Sequence, residues 1–125
     1  MIQGLHHIAI LCSEREPALK FYRDGLGFDI KETHVRPERG DEVLLLSAYG
    51  ITLELFIAPD RPQRVSGPEA YGLRHLALEV TKLEGICARL AALGFAPEPI
   101  RRDDFNGRRM TFVKDPDGLP IELHE

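Results

Sequence analysis

The chain copies itself. Sliding the sequence by 68 positions sets Gly4-Leu5-His6-His7-Ile8-Ala9-Ile10 on Gly72-Leu73-Arg74-His75-Leu76-Ala77-Leu78. The same shift sets Tyr49-Gly50-Ile51-Thr52-Leu53-Glu54-Leu55 on Asp117-Gly118-Leu119-Pro120-Ile121-Glu122-Leu123, and a shift of 67 sets Leu26-Gly27-Phe28 on Leu93-Gly94-Phe95. These matches keep their order across almost the whole of each half, so the fold has to be built from two copies of one unit.

Each copy reads as βαβββ. First strands are expected at residues 5–12 and 73–80. Ser13-x-x-Glu16 and Thr81-x-x-Glu84 have the spacing of capping boxes, and they introduce helices expected over 14–26 and 82–93. Leu83, Ile86, Cys87, Leu90 and Leu93 recur at helical spacing. Pro17 falls in a first turn, where its missing amide costs little, and Gly27 and Gly94 are placed to end the helices. Three further strands are expected in each copy, at 28–34, 42–48 and 51–58, and at 96–101, 108–114 and 119–124. Asn106-Gly107 signals a hairpin, and Asp115-Pro116-Asp117-Gly118 is a turn by composition.

The modules span 4–58 and 72–125. Their linker, 59–71, carries Pro59, Pro62 and Pro68, which favour an extended path. A module of about 55 residues buries too little surface to be comfortable alone. The expected fold is therefore α+β, with two tandem βαβββ modules pairing into a partly open, barrel-like sheet, either within one chain or across a dimer.

Composition narrows the function. The 125 residues are 43% apolar and 29% charged, an ordinary globular mix. A formal charge of −4 and a pI near 5.7 argue against a general binder of nucleic-acid phosphates. No apolar run reaches the roughly 18 residues of a membrane span, and no export signal is read at the N-terminus. Cys12 and Cys87 belong to no CxxC pair and read as small core residues. A cytoplasmic protein that handles a small molecule is expected, without nucleic-acid or membrane partners.

The chemistry lies in the repeat. Strand side chains alternate between faces. His7, Glu54, His75 and Glu122 oppose the apolar faces formed by Ile8, Ile10 and Cys12, by Leu53 and Leu55, by Leu76 and Leu78, and by Ile121 and Leu123. A lone strand His is ordinarily structural and a Glu in a final strand is ordinarily solvated. Four such residues at equivalent repeat positions instead point to a His2Glu2 set around one divalent ion: Zn, Ni, Co, Mn or Fe(II). Two carboxylates neutralise the dication, and four ligands leave an octahedral ion two open positions. His6 competes with His7 as a ligand, but alternation and repeat equivalence favour His7, because His6 falls on Arg74.

Other candidates stand apart from this set. His34 and His124 have no repeat partner of the same type, although His124 shares the face of Glu122. Arg101, Arg102, Arg108 and Arg109 flank the hairpin, either holding an anionic substrate or forming a solvated surface neutralised by Asp103 and Asp104. Tyr49, Phe56, Tyr71 and Phe105 read as packing residues or as the lining of a pocket.

The sequence resembles the vicinal oxygen chelate superfamily, also called the glyoxalase/bleomycin-resistance/dioxygenase fold, over essentially its whole length. The carriers are Leu5-His6-His7-Ile8-Ala9-Ile10, Phe21-Tyr22 before Gly25-Leu26-Gly27-Phe28, Leu53-Glu54-Leu55, Gly72-Leu73-Arg74-His75-Leu76-Ala77, and Asp115-Pro116-Asp117-Gly118 leading to Ile121-Glu122-Leu123. The order His, Glu, His, Glu is most similar to metal-dependent glyoxalase I proteins and to some epimerases. The resemblance implies a homodimeric, metal-dependent lyase or isomerase acting on the hemithioacetal of an α-oxoaldehyde and a thiol, or on a similar substrate with two adjacent oxygens. It implies an enediolate stabilised by the metal, with Glu122 as the base that moves the proton and Glu54 as its pseudo-symmetric rival. Glutathione-dependent members carry an Arg where this chain has Leu11 and an Asn where it has Ala58, which leaves the thiol cofactor open. The rival readings are a drug-sequestering, resistance-type binding protein and an Fe(II) dioxygenase of the same superfamily.

Overall fold

The computed structural model describes residues 1–125. They form two compact units, Met1–Pro62 and Gln63–Glu125. The first contains β1 (Ile8–Cys12), α1 (Arg15–Leu19), a π-helical turn (Lys20–Gly25), β2 (Asp29–Arg36), a 3-10 turn (Pro37–Arg39), β3 (Asp41–Ala48) and β4 (Ile51–Ile57). The second contains β5 (Leu76–Glu79), α2 (Leu83–Ala92), β6 (Arg101–Arg102), β7 (Arg109–Lys114) and β8 (Pro120–His124). The fold is α+β, as expected. Each unit holds one four-stranded mixed sheet, ordered β1-β4-β3-β2 in the first and β5-β8-β7-β6 in the second, and neither closes into a barrel.

The duplication extends to the ladders. β1 runs parallel to β4 with Ile8 opposite Leu53 and Ile10 opposite Leu55. β5 runs parallel to β8 with Leu76 opposite Ile121 and Leu78 opposite Leu123, the same register one repeat later. A parallel pair needs a crossover, which the helix and the two intervening strands supply.

The mismatch between the two shifts has a structural counterpart. From Ser13 to Gly27 the first copy has one residue more than the second has from Thr81 to Gly94. That residue is absorbed by the π turn, where the Leu26 amide bonds the Phe21 carbonyl five residues back at 2.9 Å. A single wide turn takes up an insertion without displacing either helix end.

Several boundaries differ from the sequence expectation. β1 and β5 begin at Ile8 and Leu76 rather than at 5 and 73. The parallel ladders start there, Ile8 opposite Leu53 and Leu76 opposite Ile121, the latter just after Pro120, which has no amide to give. His7 and His75 thus sit one residue ahead of their strands. The helices begin at Arg15 and Leu83, one residue later than expected. Glu14 and Lys82 precede the helices without side-chain caps, Lys82 in a left-handed conformation, while Glu16 and Glu84 engage Arg15 and Arg109. β6 shrinks to Arg101–Arg102 because Pro97 and Pro99 lack amides; only Glu98 between them bonds Phe112 of β7, at 2.9 Å. The segment after residue 62 is not simply extended: Ser66 bridges Glu69, and the Ala70 amide returns to the Val65 carbonyl.

Burial follows the expected faces. Leu19, Phe21, Tyr22, Phe28, Leu44, Leu46, Leu53 and Leu55 are fully buried in the first unit, as are Leu83, Leu90, Ile121 and Leu123 in the second. The intervening Glu54 and Glu122 are only half-buried, which leaves their carboxylates available.

Candidate metal centre

Each unit brings one His and one Glu together. In the first, His7 Nε2 lies 3.5 Å from Glu54 Oε2. In the second, His75 Nε2 lies 3.5 Å from Glu122 Oε1. The equivalence read from the repeat is therefore an equivalence of geometry, down to the ring nitrogen presented. The second pair is the more sheltered, with side-chain exposures of 25% and 14% against 37% and 23%.

Local contacts orient both rings. His6 Nδ1 and His7 Nδ1 share a hydrogen bond of 2.8 Å. A proton given by His7 Nδ1 to His6 leaves His7 Nε2 with its lone pair facing Glu54, the tautomer a metal ligand needs. His6, the rival ligand, is the hydrogen-bond partner of the His7 ring. His75 is held edge to face against Phe112, with ring centroids 5.1 Å apart.

A second cluster surrounds Glu122. Donor atoms of Asp103, Glu122 and His124 all lie within 4.8 Å of one another. The alternation of β8 puts His124 on the face of Glu122, as anticipated, but nothing in the spacing placed Asp103 there. It arrives through the hairpin, closed by the Asp103 amide on the Arg108 carbonyl at 2.8 Å. His124 Nε2 is 3.1 Å from Asp103 Oδ2, and its Nδ1 is 2.7 Å from the Glu125 carbonyl. The Glu125 carbonyl, and then Asp103, raise the proton affinity of this imidazole. The Phe105 amide, and then His124, hold the Asp103 carboxyl below the usual carboxylate range. Both ring nitrogens of His124 are therefore engaged within the protein, next to Glu122. His7 with Glu54, and His75 with Glu122, each present an Nε2 and a carboxylate, donor types that suit a borderline dication.

The arginine cluster divides. Arg109 is consumed structurally, bonded to Glu125 at 2.7 and 2.9 Å and to Glu84. Arg102 closes the hairpin on the Gly107 carbonyl at 2.9 Å. Arg101 instead stacks over Phe112, 5.9 Å from the ring centroid. Leu11 is exposed and Ala58 is buried, and neither side chain can bond a carboxylate.

Known proteins resemble this chain in sequence and fold. Uncharacterized protein YwkD of Bacillus subtilis is 46% identical over 126 residues, covering 100% of this chain and 98% of its own. The crystal structure of a glyoxalase family protein from Enterococcus faecalis superposes with a TM-score of 0.92 at 46% identity, covering 98% of each chain. Human mitochondrial methylmalonyl-CoA epimerase is 26% identical over 133 residues, covering 97% of this chain and 73% of its own. Glyoxalase I of Leishmania major shares the fold with a TM-score of 0.76 at 24% identity, covering 99% of this chain and 87% of its own. Residues 4–123 match the Glyoxalase/Bleomycin resistance protein/Dioxygenase superfamily. The chain belongs to that superfamily.

Proposed function

We propose that this chain is a metal-dependent lyase or isomerase of glyoxalase I type, in which His7, Glu54, His75 and Glu122 together hold one divalent cation. The observation that carries this reading is the paired geometry: two repeat-equivalent His–Glu pairs, each at 3.5 Å and each presenting Nε2. A bound Zn or Ni ion, or Co, Mn or Fe in its place, would supply Lewis-acid stabilisation of negative charge on two adjacent substrate oxygens.

The protein's own groups do the rest. Glu122 is the base. Its carboxylate takes a proton from one substrate carbon and returns it to the neighbouring carbon, while the hydroxyl proton passes to the adjacent oxygen; the first carbon is oxidised as the second is reduced, so composition is unchanged and no external oxidant is needed. It is the more sheltered of the two glutamates, which keeps the transferred proton from exchanging freely. The hydrogen-bonded His124–Asp103 pair lies beside it. His6 and Phe112 orient the two imidazoles.

The substrate in this reading is the hemithioacetal of an α-oxoaldehyde and a thiol, or a related molecule with vicinal oxygens. Leu11 and Ala58 remove two groups that would hold glutathione, so a smaller thiol, or none, fits better. Epimerisation at a carbon next to a carbonyl uses the same proton transfer and is the second reading, favoured by the epimerase relative. The working form in this proposal is a cytoplasmic homodimer. The test is turnover of methylglyoxal with glutathione and with smaller thiols, run beside Glu122→Gln. Metal-dependent turnover that Glu122→Gln abolishes supports the reading. Turnover unchanged in Glu122→Gln, or absent with every thiol and with 2-acyl epimerisation substrates, overturns it.

A further inference from the structure

The second unit contains a cavity of about 690 Å³ whose wall includes His75 and Phe112. Four cationic side chains line it, Arg64, Arg74, Arg101 and Lys114, against two carboxylates, Glu69 and Glu98. This excess runs against the charge of the whole chain, which is −4. Glu69 is fully committed, bonding Arg74 at 2.7 and 3.0 Å. Arg64 Nη2 donates to the Leu73 and Arg74 carbonyls at 2.8 and 2.9 Å, which positions the guanidinium without neutralising its charge. Arg101 and Lys114 make no ion pair with any carboxylate of the chain. The Arg101 guanidinium lies over the Phe112 ring, 5.9 Å from its centroid, and a planar guanidinium suits a bidentate oxyanion.

Phe112 also carries the imidazole of His75. Cation and metal ligand thus share one aromatic ring, no farther apart than the 5.9 Å and 5.1 Å contacts laid end to end. A metabolite-sized molecule spans that distance. Phe95, Val113 and Pro120 add apolar wall between the polar ends.

The geometry points to an oxyanion-binding subsite: the substrate is a small organic acid whose carboxylate or phosphoryl group is held by Arg101 and Lys114, with its carbon body on Phe112 and its reacting end at His75. This rests on the proposed reaction for the identity of the reacting end. The anion site itself rests on the charge and shape of the cavity alone. It assigns Arg101 a role distinct from those of Arg102 and Arg109.

The experiment is a titration of the full chain, as purified, with benzoate, phenylphosphonate and neutral benzamide, followed by amide chemical shifts, with metal content measured in parallel. The inference predicts saturable binding of at least one of the two anions, with shifts centred on residues 101, 112 and 114, and weaker or no binding of benzamide. Preference between the anions tells a carboxylate substrate from a phosphoryl one. Arg101→Gln/Lys114→Gln should weaken the anion at least tenfold with metal content unchanged, and Arg101→Lys should recover part of the loss. His75→Ala should lose metal yet still bind the anion. Equal affinity for benzamide, or unchanged anion affinity in the double variant, overturns the subsite. Absence of metal from the parent protein overturns the proposed reaction and leaves the subsite standing.

Discussion

Gly27 and Gly94 occupy equivalent positions and share a left-handed backbone, with φ of +86° and +93°. Placing Ala in that region costs about 1–2 kcal/mol, offset by about 0.4–1 kcal/mol of reduced freedom in the unfolded chain. That net cost is common to both sites. Their surroundings differ. A Cβ at Gly94 meets nothing within 4 Å, whereas a Cβ at Gly27 collides with the Tyr49 hydroxyl. Tyr49 is not free to yield. Its hydroxyl donates to the Leu26 carbonyl at 2.7 Å, and its ring sits edge to face on Phe28 with centroids 5.5 Å apart. Displacing it forfeits a hydrogen bond of about 1 kcal/mol and much of an aromatic contact of about 0.5–1.5 kcal/mol. Gly27→Ala should therefore cost about 2 kcal/mol more than Gly94→Ala in urea unfolding. Removing the hydroxyl tests the cause, because the next ring atom, Cζ, is 3.6 Å away, an ordinary contact. In a Tyr49→Phe background the cost of Gly27→Ala should fall to that of Gly94→Ala. A double-mutant cycle with no coupling, or equal costs in the parent background, would refute the reasoning.

Other expectations concern charge. Arg36 bonds Asp41 at 2.6 and 2.7 Å and holds its carboxyl below the usual carboxylate range. A folded-state pKa below the unfolded one gives stability that is present above about pH 4 and lost as pH falls through the folded value. Asp41→Asn should therefore lower the urea midpoint at neutral pH, with the gap to the parent closing in acid; a gap constant with pH contradicts the assignment. Arg109 ties Glu84 of α2 to Glu125 after β8. Arg109→Gln should destabilise the chain by leaving two neighbouring carboxylates uncompensated, and the loss should shrink in high salt; an equal loss at all salt concentrations would point to packing instead.

The repeat was the legible part of this fold. A periodicity of 68 residues specified two equivalent sheets, and their ladder registers obey it from Ile8–Leu53 to Leu76–Ile121. The His–Glu pairs were legible for the same reason, since equivalence in sequence becomes equivalence in space when both copies fold alike. What escaped depended on contacts between segments distant in the chain. Glu84 has capping spacing, but Arg109, 25 residues away, bonds it. Asp103 reaches Glu122 only because the hairpin folds back, and no local pattern announces that. The unequal shifts showed that a residue had been inserted, yet only the hydrogen-bond pattern shows it was taken up as a π turn. β6 lost its length to Pro97 and Pro99, a signal that stands in the sequence itself.

The account depends most on two equivalent His–Glu pairs serving a single ion. Elemental analysis of the purified chain beside His7→Ala and His75→Ala tests this directly, one variant from each unit. A shared ion predicts one divalent metal per set of four ligands, lost in both variants alike. Metal retained in full by either variant would show that the pairs do not act together.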